Sequence, residues 1–201
     1  MKYAAVIVET RKVDGFGQIV KSHMKHLPAD WDLVVWTGQF NKDYVETQVP
    51  QATKLLTCNV DNIDKYNKLL LSVGFWTILN EYDRVLIFQS DSMLLKDGIE
   101  LFLKYSYVGA PWIWANDRQK GGNGGLSIRE PMAMIKAILN HKPQGENEDI
   151  FFSNHCENVS PREVSEMFSC ETIFKLGTQG YHAIEKWLTP EQCEQIKTQY
   201  N

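Results

Sequence analysis

Residues 85–93, Val-Leu-Ile-Phe-Gln-Ser-Asp-Ser-Met, constrain the chain most. Val85 to Phe88 is a short apolar run closed on both sides by polar residues, the pattern of a strand buried on both faces. The run passes straight into Gln89-Ser90-Asp91. A carboxylate at the C-terminal lip of a buried α/β strand stands where such sheets bind ligands. It is also an oxygen ligand for a hard divalent cation, which keeps several waters and binds substrate phosphates. The reading is that Asp91 holds a metal that holds a diphosphate. A turn aspartate after a strand has the same local sequence, so the rest of the chain has to decide.

Upstream, Tyr3 to Val8 reads as a first strand, followed by Glu9-Thr10-Arg11 and a helix over Ile19 to Leu27 that Pro28 stops. This strand–loop–helix start has neither GxGxxG nor a Walker lysine, so its loop is no standard phosphate cradle. Glu9 could accept hydrogen bonds from a base or ribose, and Arg11 could pair with phosphate; the two could equally form a solvated pair. Leu33 to Trp36 and Thr53 to Thr57 read as further strands. Asp61 to Asn80 carries apolar residues at a spacing near 3.6, an amphipathic helix with a break expected near Gly74. Strands alternating with helices predict an α/β layer with a mainly parallel sheet.

Downstream, Tyr105 to Trp114 predicts a strand ended by Pro111, and Gly121-Gly122-Asn123-Gly124-Gly125 a loop whose glycines let a ligand approach the backbone. Leu126 to Ile128 resumes a strand, and Pro131 to Leu139 is a helix with proline in its first turn. Gly145-Glu146-Asn147-Glu148-Asp149 opens another helix, where acids also complement the helix dipole. Arg162 to Phe168 reads as helix, Cys170 to Phe174 as strand and Gly180-Tyr181-His182 as loop. Thr189-Pro190-Glu191-Gln192 has the form of a capping box with proline at the first helical position.

The 201 residues suit one domain, 1–201. A net charge of −4 without a basic run argues against nucleic acid as partner. No apolar run approaches a membrane span, and the N-terminal residues turn polar too quickly for a signal peptide. Four scattered cysteines without a CxxC pair fit reduced thiols, hence a cytoplasmic location, or the host cytoplasm for a viral chain.

Gln89-Ser90-Asp91, GGNGGLSIR, the Asn147-Glu148-Asp149 helix start and the late Gly180-Tyr181-His182, in this order, resemble GT-A-fold glycosyltransferases from Met1 to about Trp187. Gln-Ser-Asp is similar to the family's DxD metal motif, and the glycine cluster followed by Asn-Glu-Asp resembles inverting, fringe-type enzymes. Tyr107 to Trp112, GGNGGLSIR and Asn147 to Phe152 also resemble small bacterial and viral glycosyltransferases, including capsid-glycosylating domains of large algal viruses. The resemblance implies an α/β, GT-A-type (Rossmann-like) fold with a mixed, mainly parallel sheet flanked by helices, with a nucleotide-sugar half over 1–95 and an acceptor and catalytic half over 96–201. It implies a metal-dependent, inverting hexosyltransferase that takes sugar from a nucleotide-sugar donor, a UDP-sugar foremost, to a glycan or glycoprotein acceptor. Glu9, Thr10, Arg11, Gln89, Ser90 and Asp91 would bind the donor, and Asp91 with His182 would hold Mn²⁺ or Mg²⁺. Asp149, with Glu148 as the alternative, would be the catalytic base. Trp112, Trp114, Gly124 and Gly125 would meet the acceptor. Gln89 replaces the first Asp of DxD, which removes a charge and weakens the case for a metal. Two other readings fit less well: a sugar nucleotidyltransferase, for which Glu9 to Lys12 is a poor basic loop, and a non-catalytic carbohydrate- or nucleotide-binding module, which Gln89 favours.

Overall fold

The computed structural model describes residues 1–115 and 121–200. In chain order they form β1 (Tyr3–Glu9), α1 (Phe16–Met24), β2 (Asp32–Thr37), α2 (Lys42–Gln48), β3 (Lys54–Thr57), α3 (Ile63–Leu70), α4 (Val73–Leu79) and β4 (Arg84–Phe88). Then follow β5 (Ser92–Leu94), β6 (Tyr107–Ala110), β7 (Asn123–Arg129), α5 (Pro131–His141), α6 (Glu148–His155), α7 (Arg162–Phe168), β8 (Ser169–Cys170), β9 (Gly180–His182) and α8 (Pro190–Thr198). Short 3-10 turns occupy Ile99–Phe102 and Ile184–Lys186.

The main sheet has the order β3-β2-β1-β4-β7-β6. Its first four strands are parallel, and β7 runs antiparallel to both neighbours. Alternation along the central strands shows why helices must cover both faces. Ala4, Val6, Val85 and Ile87 pack on one side with Trp76 and Phe152. Ala5, Ile7, Leu86 and Phe88 pack on the other with Phe16, Val20 and Phe168. This is the expected α/β layer with a mixed, mainly parallel sheet. Strand order reverses between β1 and β4, so the C-terminal ends of these neighbours diverge and open a crevice, the usual ligand position in open α/β sheets.

A small second sheet, β5-β9-β8, lies beyond β4. Its antiparallel register sets His182 opposite Ser92. Gly180–His182 is therefore a strand and not the loop expected from its glycine. Similarly, Asn123 to Gly125 belong to β7 and not to a loop; within the 121–125 cluster positive φ occurs at Gly121 and Gly122. The 61–80 helix breaks near Gly74 as expected, at Ser72, whose hydroxyl caps α4 by accepting from the Phe75 N–H at 3.3 Å. The Thr189–Gln192 capping box forms as its sequence predicts. Beyond Cys170 the expected strand is absent, while α2 and β5 are additional. Among the described residues no helix is long and apolar enough to cross a membrane.

Candidate active site

A cleft of about 320 Å³ opens at the β1/β4 crevice. Its walls are Glu9 to Arg11 after β1, Gln89 to Asp91 after β4, residues 60–63 and Tyr66 at α3, and Lys186. All six residues expected to meet a donor thus line one cavity, though they differ in what they offer. Glu9 is buried and accepts from Arg11 Nε (2.9 Å), Arg11 Nη2 (2.7 Å) and Ser90 Oγ (3.1 Å). The Glu9–Arg11 pair exists, but only its arginine end is in solvent. Glu9 therefore acts as a strut that ties the β1 loop to the β4 loop. Thr10 spends its hydroxyl on the Val60 carbonyl. Asn41, buried, donates to the carbonyls of Glu9 and Arg11 and so fixes the loop from beneath.

Asp91 faces the cleft with its side chain about two-fifths exposed. Its Oδ1 stands 3.3 Å from His182 Nε2, and its Oδ2 accepts from Lys186 Nζ at 3.0 Å. The hydrogen bond with His182, helped by Lys186 and opposed by burial, holds this carboxyl well below the usual range, so it is ionised at any working pH. His182 Nε2 also lies 3.0 Å from Gln89 Oε1, while Nδ1 lies 3.2 Å from Glu171 Oε1. Burial alone would lower this imidazole's pKa; the Asp91 and Glu171 hydrogen bonds outweigh it and raise it to about 9.

The donor set suits a hard or borderline divalent cation. Two ligand atoms bound at about 2.1 Å and at right angles stand about 3 Å apart, close to the Asp91–His182 spacing. Among the described residues no group of three His, Cys, Asp or Glu is arranged to hold a metal. Two protein ligands suffice where substrate phosphates and water complete the shell. Imidazole beside carboxylate favours Mn²⁺ over Mg²⁺. In the free protein His182 and Lys186 stand against Asp91, so a cation bound at this carboxylate would displace a proton from His182.

The two acids at the start of α6 diverge. Glu148 is buried and gives both oxygens to Arg129, itself fully buried, with Nη2 to Oε1 at 2.9 Å. The guanidinium also stands 5.0 Å from the Tyr107 ring centre and 5.5 Å from that of Phe152. Both oxygens of Glu148, the alternative base of the sequence reading, are thus engaged by Arg129. Asp149 stays partly exposed, accepting from the Gly124 N–H at 3.3 Å and the Ile150 N–H at 2.8 Å. Burial first, and the Glu148 charge second, push its carboxyl up to about 6, in the range a general base needs near neutral pH.

The glycine pair of β7 stands between these groups. A Cβ on Gly124 would run into Glu148 and Arg129, and one on Gly125 into the His182 ring. The two positions face opposite sides of the strand, so bare backbone lets the buried ion pair close on one side and the histidine on the other. Their N–H groups, expected to face a ligand, are used internally: Gly124 donates to Asp149 and Gly125 to Asn123 Oδ1 at 2.7 Å. Gly125 also accepts from the Gln89 N–H at 2.9 Å, which links the strand to the Gln-Ser-Asp turn.

Of the tryptophans expected at the acceptor, Trp112 is buried and packs beneath Trp114, with ring centres 6.4 Å apart. Of this pair, Trp114 carries the exposed face. Trp114 is 59% exposed and meets Trp187, 51% exposed, at 5.3 Å. Sequence reasoning passed over Trp187, Lys186, Tyr66 and Glu171. The first two sit five and four residues beyond His182, which was the available signal; Tyr66 and Glu171 join the site through tertiary packing alone.

A family model described as "Protein of unknown function (DUF5672)" matches residues 48–183. No curated protein matches the chain. Among solved structures, mouse xyloside xylosyltransferase 1 in its apo form superposes with a TM-score of 0.58 at 10% identity, over 94% of this chain and 100% of that one. The apo form of the glycosyltransferase GlyE of Streptococcus pneumoniae TIGR4 matches over 80% of this chain and 45% of that one, at 15% identity and a TM-score of 0.44. The likeness to the xylosyltransferase is one of fold: the chain has a GT-A-like α/β fold.

Proposed function

The chain belongs to the DUF5672 family, whose function is unknown, and from that premise we propose that it is a metal-dependent glycosyltransferase. It moves a sugar from a nucleotide diphosphate, foremost a UDP-sugar, to a hydroxyl of a glycan or glycoprotein, with inversion. The observation that carries this reading is the meeting of Asp91, His182 and Lys186 at the mouth of the β1/β4 crevice. An ionised carboxylate, an imidazole and an exposed ammonium together suit a cation and a diphosphate. The GT-A-like fold supports the same chemistry by analogy only.

In this reading the nucleotide enters the cleft between Arg11 and residues 60–63. Asp91 and His182 would hold Mn²⁺ or Mg²⁺, which would supply positive charge against the departing diphosphate. Lys186 turns from Asp91 to the phosphates and Arg11 assists from the opposite wall. Asp149 takes the proton from the acceptor hydroxyl, whose oxygen bonds to the anomeric carbon as the bond to the diphosphate oxygen breaks. One displacement inverts the anomeric centre. Trp114 and Trp187, next to Lys186 in the fold, offer flat apolar faces to the acceptor sugar.

The test is a screen of nucleotide sugars for turnover with and without Mn²⁺. UDP-sugars should release nucleoside diphosphate, chelator should suppress the reaction, and Asp149→Asn should abolish turnover while leaving donor binding. Release of pyrophosphate would mean nucleotidyl transfer instead. Binding without turnover of any sugar nucleotide would mean a binding module.

A further inference from the structure

Glu171 has no role in the mechanism above, yet it is buried, with Oε1 3.2 Å from His182 Nδ1. Its other oxygen, Oε2, meets no donor among the described residues. A buried carboxylate with one oxygen unpartnered is costly and calls for a reason. The fold brings it there: β8 pairs in parallel with β9, Cys170 beside Tyr181, so Glu171, the first residue past β8, comes next to His182. A carboxylate only accepts hydrogen bonds, so Nδ1 must carry the proton. The opposite ring nitrogen, Nε2, then faces Gln89 and Asp91. Gly125 leaves room for the ring to lie against β7. The imidazole is thus held at its back edge and across one face.

We propose that Glu171 is a positioning residue which fixes the tautomer and direction of His182 so that Nε2 meets the divalent cation. Glu171 itself lies on the far side of the ring and does not touch the cation. The arrangement matches the way a carboxylate behind a ligating histidine raises its basicity and holds its orientation. The inference rests on the metal reading of the preceding section.

The experiment measures Mn²⁺ affinity directly, by electron paramagnetic resonance of the free ion, in the wild type, Glu171→Gln, His182→Ala and the double variant. Glu171→Gln should weaken binding by about 10- to 100-fold, yet change it by less than about twofold once His182 is gone. Equal losses in both backgrounds, or no loss in the first, would overturn the proposal. Thermal melts in chelator report whether each variant folds. If Glu171→Gln does not fold, Glu171→Asp, which keeps the charge but shortens its reach, carries the same comparison. Should the wild type bind no Mn²⁺, the metal reading falls and Glu171 falls with it. Wild-type binding that is indifferent to Glu171 sinks this inference alone.

Discussion

Glu148 and Asp149 are chemically alike and adjacent, and Arg129 separates their fates. Glu148 is consumed by that guanidinium. Asp149 is left partly desolvated beside a second negative charge, with its pKa near 6. Two consequences follow for this residue. If Asp149 is the base, kcat should fall below about pH 6; a flat wild-type profile from pH 5 to 8 would exclude it. The second concerns stability. Folding raises this pKa above its unfolded value, so its contribution is full below about pH 4 and is lost as pH rises through 6. Asp149→Asn should therefore be more stable than wild type at pH 8, by about 1–2 kcal/mol, with the difference shrinking toward pH 4; urea titrations at both pH values would show it. Adjacent helix residues point about 100° apart, which allowed one base but not a choice between the two. The choice depends on an arginine 19 residues earlier, reached only through the packing of α6 on β7.

At the scale of the element, β7 divides the site, and its two glycines make separable demands. Alanine at 124 pushes into a fully buried ion pair, so Gly124→Ala should cost about 2–4 kcal/mol in stability. Alanine at 125 pushes instead on the His182 ring, so Gly125→Ala should weaken Mn²⁺ binding at least about 10-fold, with a smaller loss of stability in chelator. Melting both variants in chelator and titrating both with Mn²⁺ would reveal this crossed pattern; equal effects on both quantities would refute the separation. The cluster reads as a loop from sequence because glycine is rare in strands. Its function as empty space for Glu148, Arg129 and His182 is a property of tertiary contact, invisible along the chain. The buried apolar strands β1 and β4 were legible because burial on both faces leaves continuous apolar runs. The three-residue β9 was not, since it has too few residues to show any period.

On the scale of the whole molecule, the sheet joins the two ends of the sequence to its middle. Gln89, Asp91, Gly124, Gly125, Asp149, Glu171 and His182 all lie within 48–183, the stretch matched by the family. Glu9, Arg11 and Lys186, which complete the cleft, lie outside it. So do β1 and β2, which stand between β3 and β4 in the main sheet. A fragment of residues 48–183 would retain β3 with no partner and β4 with one bare edge. It would also lose Ala4 to Ile7 and Leu33 to Val35 from both apolar layers. Parallel pairing across such a gap cannot close without exposing Val85, Leu86, Ile87 and Phe88, and each exposed apolar side chain of this size forfeits about 1.5–3 kcal/mol, against a whole-domain stability of about 5–15 kcal/mol. The fragment should therefore show no cooperative thermal transition by circular dichroism and no Mn²⁺ binding, while residues 1–200 show both. A fragment that melts cooperatively near the temperature of the longer chain would mean that 48–183 carries a core of its own, and that β1 is an addition to the fold instead of its centre.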